Sequence, residues 1–181
     1  DLRGFTPLSR QLDANGLITL LAEYQARLVP VIQHHRGSID KFLGDGILAS
    51  FGAVRRSDTH AADALRAVDD LMAEAQAWRE DRAVRGVPVI PVGAAVASGP
   101  VLFGVVGDAS RLEYTVIGEA VNLAAKLEKH TKVCGVRALA AADTYDLALR
   151  QGYAPDRPAE LQGAATIAGI DRPIDLVTVA A

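Results

Sequence analysis

Apolar residues recur at helical spacing from Leu17 through Leu20, Leu21, Tyr24, Leu28 and Val31 to Ile32, which predicts a helix with one buried stripe. Ahead of it, Thr6 is placed to cap a short helix whose first turn accepts Pro7. Pro30 lacks the amide that a helix interior needs, so a kink or split is expected there, with Gly37 as the stop. Two strand-like runs follow, Ser38 to Leu43 and Ile47 to Phe51, and Gly44-Asp45-Gly46 between them reads as a hairpin turn. Ala61 to Ala77 is again helical, with Leu65, Val68, Leu71 and Met72 on the buried side, and the charged stretch from Arg79 to Gly86 reads as a connector. Val87 to Ala97 and Val101 to Val106 read as strands around a Ser98-Gly99-Pro100 turn. Tyr114 to Ile117 is a further strand, ended by Gly118. Ala120 to Leu127 begins a helix and Ala138 to Leu149 reads as another; Ala164 to Ala168 and Ile174 to Val179 are the last strands.

Helices set between hairpins, rather than alternating regularly with single strands, predict an α+β fold: a two-layer sheet with helices on one face. The 181 residues form one domain with no internal repeat or linker.

Composition narrows the function classes. Half the residues are apolar and 5% are aromatic, so Ala, Val, Leu and Ile supply the packing. With 19 basic against 22 acidic residues the net charge is −3, and no basic stripe exists to hold a nucleic-acid backbone. Arg55-Arg56, followed by Ser57-Asp58, reads as a solvated loop. No apolar run has the length of a membrane span. Cys134 is alone, which rules out an internal disulfide, fits a reducing compartment and reads as a small buried thiol. His34 and His35 read as a helix-end cap or surface pair, His60 opens a helix without zinc-ligand spacing, and Trp78 reads as helix packing.

Asp45 between two glycines and Asp1 near Gly4 are each ordinary turn chemistry taken alone. Three blocks in order change that reading: Asp1-Leu2-Arg3-Gly4-Phe5-Thr6, Lys41-Phe42-Leu43-Gly44-Asp45-Gly46, and the run from Tyr114-Thr115-Val116-Ile117-Gly118 through Asn122 and Lys126 to Glu128. Together they resemble the catalytic domain of the class III adenylyl and guanylyl cyclases, from residue 1 to about residue 130 and more weakly to the tail.

The resemblance implies a ferredoxin-like core and a head-to-tail homodimer with composite active sites. It also implies that residues 1–181 begin at the end of the family's first strand, within a longer protein whose regulatory region lies outside this chain. By position, Asp1 and Asp45 resemble the metal-binding aspartates, for two Mg2+ or Mn2+ ions per site. Lys41 and Thr115 resemble the residues that recognise adenine, Asn122 the asparagine that positions the nucleotide, and Gly4-Phe5-Thr6 the turn that holds phosphate through backbone amides. Glu119 stays outside this scheme. The implied reaction turns ATP into 3′,5′-cyclic AMP and pyrophosphate. The implied setting is cytoplasmic, with any membrane tether in segments outside the chain.

Two positions depart from the family. Lys126 stands where an arginine usually stabilises the transferring phosphoryl group, and it keeps the charge while losing the planar fork. Ala168 precedes Gly169 where a lysine is common, with Arg172 nearby. The alternative is therefore a nucleotide-binding regulatory homologue with little turnover.

Overall fold

The structure is a computed structural model that describes every residue except 109 and 157. Its elements run α1 (Phe5–Ser9), α2 (Ala14–His34), β1 (Ser38–Leu43), β2 (Gly46–Ser50), α3 (His60–Val84), β3 (Ala94–Val96), β4 (Leu102–Asp108), β5 (Arg111–Ile117), α4 (Glu119–Cys134), β6 (Ala138–Ala141), α5 (Ala142–Arg150), β7 (Glu160–Ala165) and β8 (Ile174–Ala180). The α+β class is as expected.

β3, β6, β8 and β7 form one sheet in that order, β3 and β6 being parallel and the other pairs antiparallel. β1–β2 and β4–β5 are separate antiparallel hairpins. The start of the chain joins the entry to β3. Leu2 bridges Val92, and Asp1 and Gly93 exchange both backbone hydrogen bonds at 3.0 and 2.9 Å.

β6 explains how the layers stack. Ala138 packs with Trp78 and the α2–α3 pair, and Ala140 with Leu65 and Tyr145. Leu139 and Ala141 instead meet Leu127 of α4. Strand alternation thus sends one set of side chains toward α3 and the other toward α4, which adds cover on the second face.

Several elements differ from the sequence expectation, each for a physical reason. Thr6 does not cap α1: Gly4 does, at φ 73°, with no side-chain cap, and Thr6 lies inside the helix. α2 runs unbroken through Pro30 and ends at His34, ahead of Gly37. Pro30 and Ala26 are exposed, so the carbonyl deprived of its amide partner faces solvent. The expected connector from Arg79 is instead the last turns of α3, because its charges are consumed in packing. Arg82 is buried and pairs with Glu23 at 2.6 Å, while Arg27 reaches Glu74 at 2.8 Å and Asp81 at 3.2 Å.

No hairpin forms around Ser98-Gly99-Pro100. β3 pairs with β6 and β4 with β5, and the backbone amide of Ser98 donates to Thr144 Oγ1 at 2.8 Å. Residues 87–91 form no strand, consistent with Pro88 and Pro91 lacking the amides a ladder needs. Ala138 to Ala141 is a strand rather than the start of a helix. All four residues are buried, and burial on both faces overrides alanine's helix preference. The penultimate strand lies at Glu160–Ala165, with a bulge between Leu161 and Gly163, rather than at Ala164 to Ala168.

Candidate functional site

The β1–β2 turn is tight. Leu43 pairs with Gly46 across Gly44-Asp45, and Gly44 adopts φ 65°, which favours glycine. The carbonyl of Asp45 accepts the Leu2 amide at 3.2 Å, tying the turn to the start of the chain. An added Cβ at Gly46 would lie 3.5 Å from Asp1 Oδ2, so the Asp1 carboxylate sits against this turn. The two aspartates expected to act together, 44 positions apart by number, are thus on adjoining backbone.

The surroundings of Asp1 carry charge of both signs. Lys132 Nζ is 3.5 Å from Asp1 Oδ1 and 3.9 Å from Glu128 Oε1. That Glu128 oxygen is buried without a hydrogen-bond partner, as is Arg3 Nε, and both crowd the α-carbon face of Gly93. Arg3 meanwhile donates to Thr131 Oγ1 at 2.7 Å and to the Val136 carbonyl, fixing α4 to the start of the chain. Among the described residues no three His, Cys, Asp or Glu side chains assemble into a metal cage.

Lys41 and Thr115 come together through a residue the sequence reading passed over. The β1–β2 register shifts between Ile39 and Lys41, leaving Asp40 as a bulge. A bulge breaks strict alternation, so neighbouring side chains can serve the same neighbourhood. Asp40 reaches β5, accepting the Val116 amide at 3.0 Å and the Thr115 hydroxyl at 3.2 Å. Lys41 reaches the same strand and bonds Glu113 at 2.6 Å, with Asp40 Oδ2 at 3.7 Å. The Glu113 carboxylate raises the Lys41 pKa, and Lys41 in turn lowers that of Glu113. In sequence, Asp40 and Lys41 should face opposite sides of a strand, and nothing in the local pattern announces the bulge.

Asn122 and Lys126 are four residues apart on α4 and share a face. Asn122 is exposed. Lys126 donates to the carbonyl of Gly169, in the turn between β7 and β8, where Gly169 adopts φ 75°. Gly4-Phe5-Thr6 forms the start of α1, whose first amides precede the bond from Leu8 to the Gly4 carbonyl at 3.3 Å.

A cleft of about 510 Å³ opens between β2 and β3, with side chains of α2, α3 and α4 around it. Of the expected site residues it includes Asp1 alone.

Residues 1–160 match the Adenylate and Guanylate cyclase catalytic domain family, and the chain belongs to that family. An uncharacterized protein of Mycobacterium tuberculosis is 38% identical over 144 residues, 80% of this chain and 25% of that protein. The adenylate cyclase of Anabaena cylindrica is 34% identical over 143 residues, 77% of this chain and 28% of that enzyme. The chain thus spans only about a quarter of the length of these relatives. The crystal structure of the adenylyl cyclase CyaB from P. aeruginosa superposes with a TM-score of 0.83 at 27% identity, covering 100% of this chain and 90% of that one. Among the described residues, no helix is long and apolar enough to cross a membrane.

Proposed function

We propose that this chain is the catalytic domain of an adenylyl cyclase, converting ATP to 3′,5′-cyclic AMP and pyrophosphate. The observation that carries the base assignment is that Lys41, a donor-only side chain, and the Thr115 hydroxyl both approach Asp40 Oδ2, at 3.7 and 3.2 Å. In this reading Lys41 meets a ring nitrogen of adenine and Thr115 its exocyclic amine. Asn122 orients the nucleotide, and Lys126 stabilises charge on the phosphoryl group during attack by the ribose 3′-oxygen. The amides of Gly4, Phe5 and Thr6 hold phosphate oxygens.

The donors at the other end fit divalent ions. Asp1 and Asp45 are hard oxygen donors on adjoining backbone, a pair that suits magnesium or manganese completed by substrate phosphates. Bound there, such ions would neutralise the triphosphate and lower the pKa of the ribose hydroxyl.

A head-to-tail homodimer supplies the whole site in this reading. Asp1, Asp45 and the phosphate-holding turn come from one subunit, and Lys41, Thr115, Asn122 and Lys126 from the other. One feature supports it: β4–β5 is strongly apolar yet exposed. Leu102, Leu112 and Tyr114 are 66%, 69% and 68% exposed, a patch of the kind that marks an interface.

One observation favours the regulatory alternative: the Lys126 ammonium is engaged by a backbone carbonyl. Product formation from ATP and from GTP, each with Mg2+ and with Mn2+, separates the readings. Metal-dependent cyclic AMP is expected. Nucleotide binding without product would favour the regulatory homologue, and cyclic GMP in excess would overturn the base assignment.

A further inference from the structure

Thr115 can in principle donate or accept, which by itself does not select a base. Its surroundings remove that freedom. The Asp40 side chain is 2% exposed, and its two oxygens divide the work: Oδ1 accepts the Val116 amide and Oδ2 lies 3.2 Å from Thr115 Oγ1. A carboxylate only accepts, so the hydrogen between them belongs to Thr115. The other oxygen within reach of that hydroxyl, the Val116 carbonyl at 3.4 Å, is also an acceptor. With its proton committed to the protein, Thr115 offers lone pairs outward.

We infer that Asp40 is a specificity-determining positioning residue: it locks Thr115 as an acceptor and so fixes the base edge that the site takes. This rests on the reading that Lys41 and Thr115 face the base. Lys41 then presents a donor and Thr115 an acceptor. Adenine offers the complementary pair, a bare ring nitrogen and an exocyclic amine, whereas guanine offers a ring N–H and a carbonyl oxygen. Guanine therefore sets donor against donor and acceptor against acceptor. The bulge at Asp40 is what lets one short segment supply both the lock and Lys41.

The test is Asp40→Asn. Its amide oxygen can keep the Val116 amide, which turns the amide nitrogen toward Thr115 and removes the carboxylate that holds the hydroxyl hydrogen, freeing it to donate outward against only the longer 3.4 Å contact to the Val116 carbonyl. Competition between non-hydrolysable ATP and GTP analogues, with Mn2+ present, reads the preference. Asp40→Asn should lower the ATP-over-GTP ratio at least about tenfold, the scale of one mispaired buried hydrogen bond. It should add nothing in a Thr115→Val background. If Thr115→Val alone leaves the ratio unchanged, the base-recognition reading fails. If Thr115→Val changes the ratio and Asp40→Asn does not, the Asp40 inference is overturned while that reading stands. An arm that needs no variant uses the unmodified protein with inosine triphosphate, whose 6-oxo group replaces the amine. Binding at least tenfold weaker than ATP is expected, and equal binding would overturn the inference.

Discussion

Lys126 meets two demands at once. Its ammonium holds the β7–β8 turn through the Gly169 carbonyl, and in the proposed reaction it also faces the charge that builds on the phosphoryl group. A single flexible cation serves both poorly. An arginine could donate to Gly169 with one N–H and keep a bidentate pair for phosphate oxygens. Lys126→Arg is therefore expected to raise kcat at least about tenfold, or about 1.4 kcal/mol of barrier, with little change in ATP affinity. Steady-state kinetics beside equilibrium binding checks this, and an unchanged kcat in a folded, ATP-binding variant would contradict it. Asp1 and Asp45 predict the opposite pattern. Asp45→Ala should abolish metal-dependent nucleotide binding as well as product, because it deletes a hard anionic ligand. Titration calorimetry with a Mg2+–ATP analogue reads this directly, and unchanged metal-dependent affinity would sink the metal assignment.

The α2–α3 pair shows how charge can extend an element. Glu23 accepts from Arg82 at 2.6 Å, from Arg85 at 2.9 and 3.1 Å, and from the Trp78 indole at 3.3 Å. Those donors, led by Arg85, push its pKa down to about 2 from the usual 4.5. A depressed carboxylate stabilises the fold above its unfolded pKa, and that contribution is lost as pH falls from about 4.5 toward about 2. Glu23→Gln should lower stability at neutral pH by about 1–3 kcal/mol, since the buried Arg82 loses a charged partner. It should also flatten the acid limb of the stability profile in that window. Denaturant melts from pH 7 to pH 2 test both effects, and an identical acid limb in the variant would count against this origin of acid sensitivity. The same contacts explain what was legible in the sequence. The apolar stripe of Leu65, Val68 and Met72 announced α3, but its last turns rest on long-range ion pairs that a periodic pattern cannot carry. β6 was hidden for a related reason: four alanine-rich residues buried on both faces have no alternation to read. Asp1, Lys41, Asp45, Thr115, Asn122 and Lys126 stand out as candidates in the sequence because three motif blocks occur in order. Asp40 does not, since a single-residue bulge leaves no trace in residue types.

At the scale of the molecule, the expected site residues sit in separate places on one chain. Asp1 and Asp45 lie at the β1–β2 turn, Lys41 and Thr115 where β1 meets β5, and Asn122 and Lys126 along α4. The exposed apolar hairpin β4–β5 carries Thr115 on one of its strands, so a partner covering that hairpin would meet the edge proposed to recognise the base. A two-fold dimer would then form two equivalent composite sites. The measurement that tests this most directly mixes two inactive variants. Asp45→Ala removes a proposed metal ligand, and Asn122→Ala removes the amide proposed to position the nucleotide. Each alone should be inactive as a homodimer, with both sites damaged. In the mixed dimer one site contains both lesions and the other contains neither. Cyclic AMP formation should therefore return in the mixture, toward about half the unmodified rate per dimer if pairing is complete, as expected for one intact site of two. No recovery in mixtures whose heterodimers are confirmed by mass would contradict a site shared between subunits.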